Sequence, residues 1–150
     1  MNTEEDLFGD VEALAKGLGF ELVEFSVSRH KGSCQARAVI YAQSGTGISE
    51  CSRFHRILLP RLEVLLSDQD LSLEVSSPGI ERSFKSDREY GIFKGRGVRA
   101  YSRSMSDWVC GILSGFDGET ISISRRGEKD VALGRLDIAK ARLDHSQEVL

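Results

Sequence analysis

The chain has 150 residues, 40% of them apolar and 29% charged, with a formal net charge of -3. That length holds one ordinary domain or two small ones and excludes a large multidomain enzyme, while the composition excludes a disordered, fibrous or membrane protein. The acidic balance also argues against a partner that is bare nucleic acid alone, which usually calls for an excess of lysine and arginine.

Thr3-Glu4-Glu5-Asp6 has the form of a capping box, and Leu7, Val11, Leu14 and Leu18 follow at helical spacing. With Gly17 and Gly19 suited to a left-handed stop, the pattern predicts an amphipathic helix over about 4–17. Val23, Phe25 and Val27 alternate with polar residues, as do Cys34, Ala36, Ala38 and Ile40, so a β-hairpin turning at His30-Lys31-Gly32-Ser33 is expected. Ser49 can cap a second helix carrying Cys51, Phe54, Leu58, Leu62 and Leu65, with Pro60 predicting a kink or an early break. Leu71, Leu73 and Val75 make a third strand. The order α-β-β-α-β completes a small α+β domain over residues 1–78.

Ser77-Pro78-Gly79-Ile80 places proline second and glycine third, which predicts a type II turn with Gly79 at positive φ. Residues 79–91 are polar and charged and read as a linker containing a short helix near Ser86 to Phe93. Beyond it the period changes to two. Val98 and Ala100, then Val109, Ile112 and Leu113, then Ile121 and Ile123, then Val131 and Leu133, and finally Ala139, Ala141 and Leu143 mark five short strands, with Asp117-Gly118 expected as a type I′ hairpin turn. Five strands in so few residues are expected to close into an all-β Sm-like or SH3-like small barrel over 92–150, which would remove exposed edges.

Charge is unevenly placed. Residues 1–75 hold 7 Lys+Arg against 12 Asp+Glu, a balance of -5, whereas 76–150 hold 13 against 11, a balance of +2. Positions 82–103 form the one basic stripe: Arg82, Lys85, Arg88, Lys94, Arg96, Arg99 and Arg103 against Asp87 and Glu89. Such a stripe suits either a solvated surface or phosphate contacts. Tyr90, Phe93 and Tyr101 lie within it and suit either base stacking or barrel core.

The catalytic inventory is nearly empty. No phosphate loop, dinucleotide fingerprint, zincin helix or nucleophile elbow occurs, and Gly95-Arg96-Gly97 lacks a third glycine. His30, His55 and His145 are far apart. Cys51 and His55 stand at i, i+4 on one helix, but no third orienting group accompanies them, and packing is the simpler reading. Cys34, Cys51 and Cys110 are odd in number and include no C-x-x-C pair, so reduced thiols are expected, with no cofactor and no metal. No apolar run approaches the roughly 18 to 20 residues of a membrane span and the first residues are acidic, so a cytoplasmic protein is expected.

The string Leu73-Glu74-Val75-Ser76-Ser77-Pro78-Gly79-Ile80-Glu81-Arg82 resembles the hallmark of the bacterial ribosome maturation factor RimP family. Gly19-Phe20-Glu21-Leu22-Val23, Ile48-Ser49-Glu50-Cys51, Phe93-Lys94-Gly95-Arg96, Gly111-Ile112-Leu113 with Asp117-Gly118, and Asp137-Ile138-Ala139-Lys140-Ala141-Arg142-Leu143 follow in the family's order, so the resemblance covers nearly the whole chain. Ser83-Phe84 stand where the family usually continues with proline and leucine. The resemblance implies a non-catalytic factor that binds the immature small (30S) ribosomal subunit through rRNA and a basic ribosomal protein. On that basis Arg82, Lys85, Arg88, Arg96, Arg99 and Arg103 are candidates for rRNA phosphate contact, and Glu81, Glu21 and Glu24 for the basic protein. Pro78 and Gly79 are candidates for fixing the junction, and a monomer is expected. Two other readings stay open: a plain Sm-like RNA-binding module that oligomerises, and an enzyme acting on RNA or a nucleotide in a cleft between the domains.

Overall fold

The computed structural model describes residues 4–66 and 70–148. Its contacts divide the chain into two units, Met1–Pro78 and Gly79–Leu150.

In the first unit, helix α1 spans Glu4–Gly17 and buries Leu7, Val11 and Ala15. The capping role expected of Thr3 lies outside the described residues. The stop is a Schellman motif: the Phe20 N–H returns to the Ala15 carbonyl and the Gly19 N–H to that of Lys16, with Gly19 at φ +87°. Strands β1 (Glu21–His30) and β2 (Ser33–Tyr41) pair antiparallel through a two-residue turn. Lys31 and Gly32 both take positive φ there, the requirement of a type I′ turn.

Helix α2 runs Ile48–Leu66, and its start differs from the expected Ser49 cap. Gly47 precedes the first helical residue, and the Glu50 carboxylate reaches back to accept the Gly47 N–H at 2.9 Å. Pro60 does not break α2, which continues a further turn and buries Leu62. Pro60 and Arg56 both lie on the exposed face, so water can satisfy the Arg56 carbonyl that proline leaves without a donor. Strand β3 (Asp70–Ser76) then pairs parallel to β2, giving the order β1-β2-β3. Both helices pack on Ala36, Ala38 and Ile40, where small side chains allow close approach, and Phe54 meets Phe20 edge to face at 6.1 Å.

The second unit opens with the segment 79–91 expected to be a linker, of which residues 82–84 run beside the sheet. A short helix α3 (Arg88–Ile92) leads into β4 (Gly97–Ser102), β5 (Asp107–Phe116), β6 (Thr120–Ser124), β7 (Val131–Gly134) and β8 (Ile138–Leu143). All neighbouring pairs are antiparallel, in the order β7-β6-β5-β4-β8. The expected closed barrel is not formed: among the described residues β7 and β8 do not pair, and the single turn Arg135–Asp137 carries the chain between them.

Residues 82–84 cover the outer edge of β8 instead. Ser83 bridges Arg142, the Phe84 N–H donates to the Ala141 carbonyl at 2.9 Å, and the Leu143 N–H to that of Arg82 at 2.9 Å. An added short segment thus protects an edge that closure was expected to remove. Phe84 stacks on Phe93 at 5.3 Å and meets Tyr90 at 5.0 Å, so the dipeptide that departs from the RimP pattern is anchored in the core. The Asp117-Gly118 turn is not type I′, because only Gly118 takes positive φ; the Asp117 carboxylate accepts the Glu119 and Thr120 N–H groups instead.

Candidate nucleic-acid interface

The cations of the basic stripe stand at different depths. Arg82 is a structural cation: its side chain is 8% exposed and its Nε–H donates to Glu89 Oε1 at 2.7 Å. The other Glu89 oxygen accepts the backbone N–H groups of Lys85 and Ser86 at 2.8 and 3.0 Å. Desolvating a charge is costly unless it is paired and hydrogen-bonded, and this pair is both. Arg82, expected to meet rRNA, thus makes its described ion pair within the protein.

Lys85, Arg88 and Arg103 are exposed, and Arg103 Nη1–H donates to the Leu136 carbonyl. Arg96 and Arg99 sit on or beside β4 with their side chains about a third exposed, paired with Glu148 and Asp144 at 3.0 and 3.1 Å. Burial would raise the Asp144 carboxyl, but hydrogen bonds from Ser146, Gln147 and Arg99, together with the arginine charge, outweigh it and hold the group at about 2. Glu148 is likewise lowered: burial opposes, and the Gly97 N–H and the Arg96 guanidinium prevail.

Tyr90 and Phe93 are core residues, 3% and 0% exposed, whereas Tyr101 points outward. Strand alternation then assembles a face that the stripe alone did not reveal. Val98, Ala100, Val109, Ala141 and Leu143 point inward, so their neighbours Arg99, Tyr101, Trp108, Lys140 and Arg142 share the opposite face. Tyr101 is directly opposite Trp108 on β5 and Lys140 on β8, and Arg99 is opposite Arg142. The Tyr101 and Trp108 rings meet edge to face at 5.4 Å. Lys140 Nζ and the Arg99 guanidinium lie over the indole at 5.4 and 5.9 Å from its centre. Trp108, Lys140 and Arg142 fall outside the contiguous basic stripe, although the alternation around Val109 and Ala141 carries their signal. A bulge between Tyr101 and Ser102 also turns Ala139 outward and puts Ile138 in the core.

Of the acidic candidates, Glu81 is 75% exposed with Arg142 Nη1 at 3.7 Å, and Glu21 and Glu24 are half-buried on β1. Pro78 and Gly79 stand at the boundary of the two units. Gly79 takes no left-handed conformation, so the expected type II turn is absent. The turn lies two residues later, where the Arg82 N–H donates to the Gly79 carbonyl at 3.0 Å, and the first position of a turn does not require positive φ.

In the first unit a groove of about 660 Å³ runs past Ile48, Cys51, His55, Arg56 and Val75. The His55 Nε2–H donates to the Leu73 carbonyl at 2.9 Å, since a carbonyl can only accept. Burial and the Glu50 charge push the Cys51 thiol up, the opposite of what a thiolate nucleophile requires. Among the described residues no three His, Cys, Asp or Glu side chains are grouped to hold a metal ion. No described helix is long and apolar enough to cross a membrane.

Residues 10–81 match the family model of the RimP N-terminal domain. Over 138 residues the chain is 28% identical to the ribosome maturation factor RimP of Borrelia hermsii, covering 92% of this chain and 94% of the relative. The protein of the same name from Borrelia turicatae shows the same identity and coverage. That from Borrelia recurrentis is 34% identical over 94 residues, 63% of each chain.

Proposed function

The chain belongs to the RimP family, and from that premise we propose that it is a ribosome maturation factor that binds the immature small ribosomal subunit without a covalent step. The observation that carries this reading is the alignment with relatives of that name over more than nine-tenths of both chains. The uneven charge supports it: a balance of -5 in residues 1–75 suits a basic ribosomal protein, and +2 in 76–150 suits rRNA. Lys85, Arg88, Arg96, Arg99 and Arg103 are the proposed phosphate contacts, with Arg82, paired to Glu89, proposed to hold the segment that carries them. Glu81, Glu21 and Glu24 are the proposed contacts with the basic protein.

Two modest interfaces on one chain make the second contact effectively intramolecular, so the factor favours a particle that presents rRNA and protein together. Tighter binding to the immature arrangement than to the mature one shifts the population toward it and releases the factor once maturation proceeds. No cofactor enters this scheme, and the protein acts as a cytoplasmic monomer. We read the second unit as an open version of an Sm-like or SH3-like barrel, on its strand order and the tight turn ahead of β8.

Co-sedimentation of the full chain with free small subunits, large subunits and whole ribosomes tests the reading. Pelleting with free small subunits in stoichiometric amount is expected. Absence from every particle at moderate salt, or multiple turnover of precursor rRNA or a nucleotide, would overturn it.

A further inference from the structure

We infer that the outer face of β5-β4-β8, built from Trp108, Tyr101, Arg99, Lys140 and Arg142, is a platform on which an unpaired RNA strand stacks. This deepens the assembly-factor reading and rests on it for the source of the RNA.

The inward residues of these strands already fill the core, so the aromatic pair on the other face has no packing task within the sheet. A half-buried, outward-facing Tyr–Trp pair ringed by cations fits a nucleotide in both its parts. The flat ring systems accept a base by stacking, and the cations accept the phosphates on either side of it. Lys140 and Arg99 now rest over the indole. Cation–π contacts are weak at such sites, so Lys140 can move to a phosphate as the ring is exposed to a base, while Arg99 keeps its bond to Asp144.

Charge on the face favours the same occupant. Arg99, Lys140 and Arg142 stand on it, with Asp144 bonded to Arg99, Glu81 at 3.7 Å from Arg142 and Asp107 accepting the Trp108 backbone N–H, which leaves Lys140 beside the indole as the cation a phosphate would meet. An acidic protein segment would use the cations but would leave the aromatic pair without a role. A duplex would also use the cations alone, because its bases are stacked on one another and do not reach a flat sheet.

Trp108 is the only tryptophan in the chain, so intrinsic fluorescence reports this face alone. The full-length protein is titrated with an unstructured oligoribonucleotide of roughly ten nucleotides, with a duplex of the same length and with polyglutamate. Saturable quenching by the single strand, weaker with the duplex and absent with polyglutamate, is expected. Binding of the labelled single strand, followed by anisotropy, should weaken about tenfold in Trp108→Leu and in Tyr101→Leu. In Lys140→Ala the log-log salt slope should fall by about 0.7. Thermal unfolding checks that each variant is folded, and Lys140→Ala keeps the test open if an aromatic variant is not.

Equal quenching by single strand and duplex, or quenching by polyglutamate, would overturn the stacking proposal, as would no response at all. Co-sedimentation separates the two readings. Wild-type protein that pellets with small subunits but shows no quenching by the single strand sinks the platform and leaves the assembly-factor reading in place. Quenching without pelleting does the reverse.

Discussion

Arg82 Nε stands 2.7 Å from Glu89 Oε1, with the two side chains 8% and 1% exposed. The pair joins the segment that covers β8 to the first turn of α3, and removing one partner strands the other's charge away from water. Glu89→Ala should therefore lose about 3 to 5 kcal/mol of stability in urea unfolding, and Arg82→Met with Glu89→Leu should recover much of it. A loss below about 1 kcal/mol for Glu89→Ala would show that water reaches the pair.

Gly97 and Gly79 make a matched contrast. A Cβ on Gly97 would collide with the Asp144 carbonyl oxygen, whereas one on Gly79 meets nothing within 4 Å, and Gly79 takes no left-handed conformation. Gly97→Ala should cost roughly 1 to 3 kcal/mol because backbone must shift. Gly79→Ala should be neutral or stabilise by up to about 1 kcal/mol through the unfolded chain. Denaturant midpoints of the two variants check both.

Asp144 supplies a pH signature. Its folded value of about 2 lies below the unfolded value of 3.8, so its contribution is present above the unfolded value and is lost as pH falls through the folded one. Stability should drop by about 1 to 2 kcal/mol between about pH 4 and about pH 2 on this account. Asp144→Asn should be less stable at neutral pH and show a flatter profile across that window, measured by unfolding at fixed denaturant steps.

Charge reversal at exposed positions tests the proposed phosphate contacts. Arg88→Glu and Arg103→Glu should weaken subunit binding and each lower the log-log salt slope by about 0.7 to 0.9. Arg96→Glu and Arg99→Glu also break pairs with Glu148 and Asp144, so their effect must be read beside their unfolding curves. Unchanged affinity in both Arg88 and Arg103 variants would remove those residues from the interface.

Most of the element order was legible in the sequence because hydrophobic periodicity records burial directly: Leu7, Val11, Phe54, Leu58 and Leu62 are core residues. What escaped depended on side-chain capture within a turn or on partners far along the chain. Asp117-Gly118 fits a type I′ turn by composition, but the Asp117 carboxylate captures two N–H groups and sets another geometry, while Lys31-Gly32 adopts the I′ form with a lysine at φ +47°. Strand count points to barrel closure, yet local pattern cannot say whether an edge meets another strand or, as at β8, a segment such as 82–84. The candidate face escaped for the same reason. Arg99, Trp108 and Lys140 come from three strands, and only their register shows that they share one surface.

The bond from Phe84 to Ala141 and the stacking of Phe84 on Phe93 bear on how the protein should be divided for separate study. A C-terminal fragment excised at residue 92 would discard this strip, leaving β8 with an unsatisfied border and a cleft where an aromatic ring belongs. Such a fragment should be prone to self-association, whereas one beginning at Gly79 keeps its own border and is the sensible unit to express.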